Sequence, residues 1–502
     1  MTVATKVDGE PSAAELRRLL DVQRQSFLAD GPPSLAVRRD RIDRLVSLVT
    51  DNADAIVEAL DADFGSRPRT PSMVNDVIGY LPDLVLTRRR LKAWMKPRRV
   101  LPGTAAIGFP IKVESVPLGV VGVIGPWNFP VGLTIEPAAA AFAGGNRVML
   151  KFSEVTWRTA ALMAELVPRY FDATELVVVN GGAETAAAFS ALPFDHLFFT
   201  GSPGVGSLVA QAAAKNLTPV TLELGGKNPA VVVHGADIEE AAARIASARI
   251  ANGGQVCLCP DEVYVPRANL DAFVAAVTAA SRAVFPSVLG SDTFISIVDD
   301  RNYDRIVGLI DDAVAKGATK VDAAPEGEVL PDRATRRIAP TFLLGVTAEM
   351  EIDREEVFGP VLSIHPYDRV EDVVERLAER PLPLAAYWFG PTRRDFDYFR
   401  TRVRCGGITV QDFAAHCGVM VAPFGGVGRS GSGAYHGRTG FDTFTHQRTM
   451  VVNRTPVALA KLATPPYSPR FERGLERVVR SIAKKAAARR RRTSPARFRP
   501  QD

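Results

Sequence analysis

Apolar residues in the first part of the chain recur every three or four positions, the spacing of one face of a helix. Leu16, Leu19, Leu20 and Phe27 do so behind Ser12 and Glu15, which are spaced as a capping box. Leu45, Val46, Leu48 and Val49, then Ile56, Val57 and Leu60, stand opposite charged positions. The pattern predicts helices through about Trp94, each burying one stripe against something larger. Residues 95–117 change to Pro, Gly and β-branched types. That change predicts an extended hairpin leaving the body, an arm suited to pairing with another subunit.

From Gly119 short apolar runs alternate with helical stretches. VVGVIG, RVMLKFSE, ELVVVNGG and HLFFTGS read as buried strands, with helices over Pro137–Gly144, Thr159–Phe171 and from about Gly204. Such alternation predicts a doubly wound parallel sheet that binds ligands off the carboxyl ends of its strands. Lys151, Ser153, Glu154, Gly201, Ser202 and Gly206 all fall at those ends. A second αβ region follows Gly226. Its strands are PAVVV, EVYVP, Phe342–Leu344, the run after EEVFGP and GITV; its helices are Ile238–Asn252, Leu270–Ala283 and Tyr303–Lys316. The uncharged stretch Val116–Ile135 is long enough for a membrane helix, but it holds Pro117, Pro126, Pro130, Gly119, Gly122, Gly125 and Gly132. A buried strand and turn fit it better.

Composition changes this picture only at the ends. With 502 residues, 46% hydrophobic and 23% charged, the chain is sized for two or three globular domains. Its four cysteines, Cys257, Cys259, Cys405 and Cys417, have neither zinc-ribbon spacing nor the density of a secreted scaffold. No metal site is expected, and a reducing, cytoplasmic setting is. The first twenty residues lack the apolar core of a secretory signal, so export is not expected. Of the net charge of +5, Arg470–Asp502 supplies +9, from twelve Lys or Arg and three acids, leaving −4 for the rest. In this tail Phe471, Leu475, Val478, Val479 and Ile482 form an apolar stripe before KKAAARRRR. Such a helix suits peripheral contact with an anionic membrane surface. A helix packed on a neighbouring subunit, with a disordered basic end, accounts for the pattern equally. Phe471 and Phe498 are too few interleaved aromatics for nucleic-acid binding, which is not expected.

The candidate chemistry centres on Asn252–Pro260, NGGQVCLCP, where two glycines precede Cys257 and leave room for a substrate carbon and a cofactor ring. A lone cysteine is usually a packing residue. Glu223 in TLELGGKNP and Asn128 in GPWNFP change that reading. Thiol, carboxylate and amide are the nucleophile, base and oxyanion donor that acyl chemistry asks for. Cys259, on an extended segment, would point the same way as Cys257 but reads as packing, as do Cys405 and Cys417. FTGSPGVG could bring backbone N–H groups and a helix start to a pyrophosphate; its spacing is not GxGxxG, and a plain glycine turn explains it equally. Beside it, Lys151 and Glu154 suit an adenosine ribose, and a carboxylate there repels a 2′-phosphate, favouring NAD over NADP. Phe358 reads as core, His436 as a structural hydrogen bond and Lys227 as a salt-bridged surface residue. The glycine-dense loop Pro423–Gly437 either turns tightly or lines a site.

PWNFP, LKxSE, FTGS, LELGGK, GQxC, EEVFGPV and PFGGVG, in this order over Ser12–Val452, resemble the motifs of the aldehyde dehydrogenase superfamily. The CxxPD run after the thiol and the SGxGxYHGxxGFxTFTH ending are similar to the class 3 branch. LKAWMKPRR, PSLAVRRDR and ALPFDHLFFTGS are similar to coniferyl aldehyde dehydrogenases. The resemblance implies an α/β fold: a Rossmann-like NAD-binding domain (1–97 and 118–225), a catalytic domain (226–428), a small β oligomerisation arm (98–117 and 429–455) and a basic tail (456–502). It implies a homodimer that oxidises an aldehyde, aromatic or medium-to-long aliphatic, to the acid through a thiohemiacetal and thioester. Cys257 is then the nucleophile, Glu223 the general base, and Asn128 with the Cys257 N–H the oxyanion donors. Lys151 and Glu154 would hold the adenosine ribose, Gly201 and Ser202 the pyrophosphate, and Glu356 and Phe358 the nicotinamide end. Phe152, Val256 and Gln411 depart from the family pattern. Two alternatives remain: a CoA-acylating dehydrogenase, which has no need of Glu223, and a non-catalytic cofactor-binding or membrane-associated protein.

Overall fold

In the computed structural model, which describes residues 10–456, 458–462 and 464–493, the Ser12 hydroxyl accepts the Glu15 N–H at 3.2 Å and opens helix Ala13–Asp30. Helices Leu35–Thr50, Ala53–Phe64 and Leu81–Trp94 follow, with Leu45, Leu48, Val49, Ile56 and Leu60 fully buried, as the spacing predicts. Contacts divide the chain into two units. The larger runs to Lys96 and again over Glu114–Arg448; the smaller holds Pro97–Val113 and the residues from Thr449 onward.

The larger unit contains two sheets. The first orders its strands Gly431–Ser432, Val220–Leu224, His196–Gly201, Val120–Ile124, Arg147–Lys151 and Leu176–Val179, all neighbours parallel except the first pair. Val120–Ile124 and Arg147–Lys151 are buried along their whole length, the continuous burial of a parallel sheet covered on both faces. The second sheet orders Thr319–Asp322, Thr341–Leu344, Val361–Tyr367, Pro260–Pro266, Asn228–Val232, Ala385–Phe389 and Gly407–Val410, antiparallel only at its first pair. The α/β expectation holds for both. Because Gly431 pairs with Glu223, the Gly431–Ser432 edge strand groups with the larger unit rather than with the arm.

Helix Gly132–Gly144 begins five residues before the expected Pro137. Asp76 accepts the N–H groups of Val131 at 3.0 Å and Gly132 at 3.2 Å, which satisfies donors of the first turn from far away in sequence. At the other end the Arg38 guanidinium donates to the carbonyls of Ala143 at 2.9 Å and Gly144 at 2.8 Å.

Arg98–Val100 pairs antiparallel with Ile111–Val113, the expected hairpin, in a three-stranded sheet ordered Arg98–Val100, Ile111–Pro117 and Thr445–Val451. The tail forms helix Pro469–Thr493, and Leu475, Val478, Val479 and Ile482 on its apolar stripe are exposed. Phe498, considered for nucleic-acid stacking, lies outside the described residues. Among the described residues no helix is long and apolar enough to cross a membrane.

Candidate active site

Helix Ile238–Ile250 delivers the chain to the thiol, but the helix does not reach Asn252 as the apolar pattern suggests. Asn252, Gly253 and Gly254 have φ of 50°, 65° and 78°. Such left-handed residues end a helix, and glycine adopts the conformation without the Cβ clash. A Cβ at Gly254 would also sit 2.3 Å from the Gly359 carbonyl, so the turn packs directly on the EEVFGP segment.

The turn is held from below by Arg249, which is buried. It donates to the carbonyls of Pro260 at 2.8 Å and Gly254 at 3.0 Å, contacts Gly359, and pairs with Asp261 at 3.2 Å. Gln255 donates to the carbonyls of Asn252 at 2.9 Å and Ser296 at 3.2 Å and accepts the Val298 N–H at 3.0 Å. The Asn228 amide donates to the carbonyls of Cys257 at 2.7 Å and Cys259 at 3.0 Å. Sequence reasoning passed over Arg249 and Asn228. The available signal was a lone arginine on an apolar helix face and an asparagine opening an apolar strand.

Cys257 is partly exposed and free. Burial, and after it the charges of Glu356, Cys417, Glu223 and Cys259, push its thiol well above the ordinary range. Cys259 does not share its direction: residues 257–258 form a turn rather than an extended run, and the Cys259 sulfur points to the Ala248 carbonyl at 3.1 Å. Cys405 likewise contacts the Gly407 carbonyl at 3.3 Å. Cys417 packs against the core, and burial, then the charges of Glu136 and Glu223, push it up to about 12.

Asn128 comes to the thiol loop from the segment after Val120–Ile124. Its amide nitrogen donates to the Gln255 carbonyl at 3.1 Å, two residues before Cys257. A side-chain amide carries two N–H donors, so one is left to point elsewhere. Glu223, on the strand paired with both Thr200 and Gly431, is 4% exposed, and no protein group donates to either carboxylate oxygen. Burial, followed by the charge of Glu136, raises it well above the carboxylate range. The charge of Glu223 acts on Cys257, so the distant carboxylate and the thiol are electrostatic neighbours.

The carboxyl ends of the first sheet carry the remaining candidates. Lys151 is buried and its ammonium pairs with the half-exposed Glu154 at 3.0 Å. Gly201 ends its strand, and the Ser202 hydroxyl caps helix Pro203–Ala214 by accepting the Val205 N–H at 3.4 Å. The Glu356 carboxylate lies over Gly225, where a Cβ would stand 2.0 Å from its oxygen, and accepts the Gly226 N–H. Burial and then Asp261 raise Glu356 to about 8, against the pull of Gly226, Arg249 and Lys227. Phe358 is not core. It is half-buried at φ 51°, its ring edge-on to Trp127 at 5.2 Å, and Trp127 precedes Asn128. Lys227 is salt-bridged, to Asp261. Phe152 points into the core; Gln411, at φ 59°, turns its amide oxygen to the Gly390 N–H at 3.3 Å; Val256 packs against the core.

These parts suit a dinucleotide. A capped helix start and strand-end glycines offer N–H groups to a pyrophosphate, and a Lys–carboxylate pair at the next strand end offers partners to ribose hydroxyls. A doubly wound cofactor sheet with a thiol beside an oxygen-rich carboxylate site defines a pyridine-nucleotide oxidoreductase. The comparisons narrow this. The model of the aldehyde dehydrogenase family matches residues 19–450. A coniferyl aldehyde dehydrogenase of Pseudomonas sp. is 43% identical over 461 residues, covering 91% of this chain and 95% of the relative. A rat dimeric, NADP-preferring aldehyde dehydrogenase is 36% identical, covering 89% and 96%. The solved structure of Staphylococcus aureus AldH in its substrate-bound state superposes with a TM-score of 0.84 at 31% identity, covering 91% and 97%. The chain belongs to the aldehyde dehydrogenase family: it is an NAD(P)-dependent enzyme that oxidises an aldehyde to its acid.

Proposed function

We propose that the chain oxidises a coniferyl-type aromatic aldehyde with NAD, using Cys257 as nucleophile, Asn128 as oxyanion donor and Glu223 as general base. The observation that carries the assignment is the 3.1 Å bond from Asn128 to the Gln255 carbonyl, which ties the amide to the segment bearing the thiol. The Cys257 thiol gives its proton to solvent, and the thiolate sulfur bonds to the aldehyde carbon as the carbonyl electron pair moves onto oxygen. The oxygen that becomes negative is held by the second Asn128 N–H and the Cys257 backbone N–H, a donor of this kind being worth roughly 2.7–4 kcal/mol. When bound, the nicotinamide ring supplies the hydride acceptor and a positive charge. Lys151, Glu154, Gly201 and Ser202 would hold its adenosine and pyrophosphate, Glu356 and Phe358 the nicotinamide end.

Glu223 then takes a proton from the water that attacks the thioester carbon; the acid leaves and the sulfur is restored. A buried carboxylate with both oxygens free favours water over CoA as the acyl acceptor. Glu154, half-exposed at the ribose position, favours NAD over a cofactor bearing a 2′-phosphate. The aromatic preference is supported by the Pseudomonas relative; a medium-to-long aliphatic aldehyde is the second reading. The hairpin arm supports a homodimer, and the exposed apolar stripe of the basic tail helix supports peripheral membrane contact by a cytoplasmic enzyme. The test is NADH formation by purified protein with coniferaldehyde, benzaldehyde, hexanal and dodecanal, with NAD and NADP in parallel. Turnover retained by Cys257→Ser overturns the mechanism, and preference for dodecanal overturns the substrate.

A further inference from the structure

Two charged side chains with no exposed surface, Arg67 and Asp76, pair at 2.7 Å. Local structure puts each in place. Helix Ala53–Phe64 ends on Gly65 in the left-handed conformation, φ 72°, and the Arg67 N–H then returns to Asp61 Oδ1 at 2.7 Å. Met73–Ile78 winds as a π-helix, a rare wide turn found most often at functional sites, and Asp76 belongs to it.

Both side chains reach the segment that carries Asn128. The Arg67 guanidinium lies over the Phe129 ring at 5.4 Å and the Phe64 ring at 4.7 Å. Phe64 in turn meets the Trp127 ring at 6.4 Å. The aromatic residues on either side of Asn128 in sequence therefore rest on one platform. Asp76 Oδ1 accepts the N–H groups of Val131 at 3.0 Å and Gly132 at 3.2 Å, three and four residues after Asn128. A Cβ at Gly132 would stand 2.9 Å from the Asn75 carbonyl oxygen, so this helix start packs directly on the π-helical turn. Asn128 itself, buried, is tied to the thiol loop: its amide donates to the Gln255 carbonyl at 3.1 Å, and its carbonyl accepts the Asn252 amide at 3.4 Å.

Arg67 uses little of its hydrogen-bonding capacity, since Nε and Nη1 are buried without an acceptor among the described residues. Desolvating two ions costs about as much as their attraction returns, so such a pair is a poor source of net stability. What the pair and its stacked rings supply is a fixed geometry. We propose that Arg67 and Asp76 are positioning residues for the oxyanion amide, holding residues 127–132 so that the free N–H of Asn128 faces the aldehyde oxygen. The inference rests on Asn128 as the oxyanion donor. The bond to Gln255 takes one amide N–H, and the aim of the other depends on where the backbone around it lies. A donor acts on the developing charge within about 2.7–3.1 Å, and a displacement of about 1 Å costs up to about a hundredfold.

The test is a double-mutant cycle between Arg67→Lys and Asn128→Ala, run on folded variants checked by thermal unfolding. Arg67→Lys keeps the charge toward Asp76 and loses the flat group under Phe129. Single-turnover NADH formation from benzaldehyde at saturating NAD should fall about tenfold, with the aldehyde KM within about threefold. Alkylation of Cys257 by iodoacetamide, which develops no oxyanion, should stay within about twofold of wild type. Added to Asn128→Ala, Arg67→Lys should cost less than about twofold more, because the group it aims is gone. Should Arg67→Lys fail to fold, Phe129→Leu, at a half-buried ring, takes its place in the cycle with the same expected pattern. Unchanged NADH formation in the folded variant, an equal loss in the Asn128→Ala background, or parallel slowing of alkylation overturns the positioning role. Full NADH formation by Asn128→Ala alone overturns the oxyanion assignment instead.

Discussion

Asn128 donates from its side-chain amide to the carbonyl of Gln255 at 3.1 Å, joining residues 127 positions apart. The bond makes the position of the amide depend on the thiol loop. Asn128→Ala should therefore lower kcat by about a hundredfold through loss of an oxyanion donor, while leaving NAD affinity within about threefold. Steady-state kinetics and a cofactor titration check both halves.

Glu223 is raised above the carboxylate range by burial and then by Glu136. A general base works only when ionised, so hydrolysis should increase with pH through a midpoint above that of an ordinary carboxylate. The limb should vanish in Glu223→Gln. A midpoint no higher than that of a solvent-exposed carboxylate in the wild type contradicts the placement of this group in a dry pocket.

Gly225 lies against Glu356, and a Cβ there would stand 2.0 Å from the carboxylate oxygen. Gly225→Ala should displace Glu356, weakening NAD binding by about tenfold or more while the thiol still reacts with iodoacetamide. Intact mass after alkylation and fluorescence titration with NAD separate the two effects.

Arg67 and Asp76 pair at 2.7 Å with neither side chain exposed, and Asp76 also receives the first N–H groups of the helix carrying Glu136. Removing one partner of a buried pair leaves an uncompensated charge, so Arg67→Met should cost about 3–5 kcal/mol. Denaturant unfolding measures it; a loss below about 1 kcal/mol contradicts the pairing.

Asp83 is raised from 3.8 to about 7, first by burial and then by Glu136. A carboxyl whose pKa rises on folding stabilises the fold fully below its unfolded pKa, and that contribution is lost as pH climbs through about 7. Asp83→Asn, which still accepts the Gly437 N–H, should raise Tm at about pH 8 relative to wild type and change it little at about pH 4. Thermal unfolding at the two pH values decides.

Much of the fold was legible because parallel strands buried on both faces read as continuous apolar runs, and helices as a stripe every three or four residues. Boundaries failed where a distant partner set them. Asp76 starts the helix at Gly132, and three left-handed residues end the preceding helix before Asn252. Phe358 read as core because composition cannot tell an aromatic lining a site from one filling a void; its φ of 51° and its edge on Trp127 are tertiary facts. His436 read as a structural residue, and that the group it meets is Glu136, 300 residues away, is a tertiary fact.

By itself the sequence determined which chemistry is available: a thiol shortly after two glycines, a carboxylate, an amide and the strand-end groups that suit a dinucleotide, since side-chain chemistry and local periodicity are properties of short stretches. Only the tertiary structure decided which of these groups meet, and which way their surroundings shift them. Burial and the charges of neighbours from remote segments act over a few ångströms in space, and they push the Cys257 thiol and the Glu223 carboxyl above their ordinary ranges and bring Glu136 to His436.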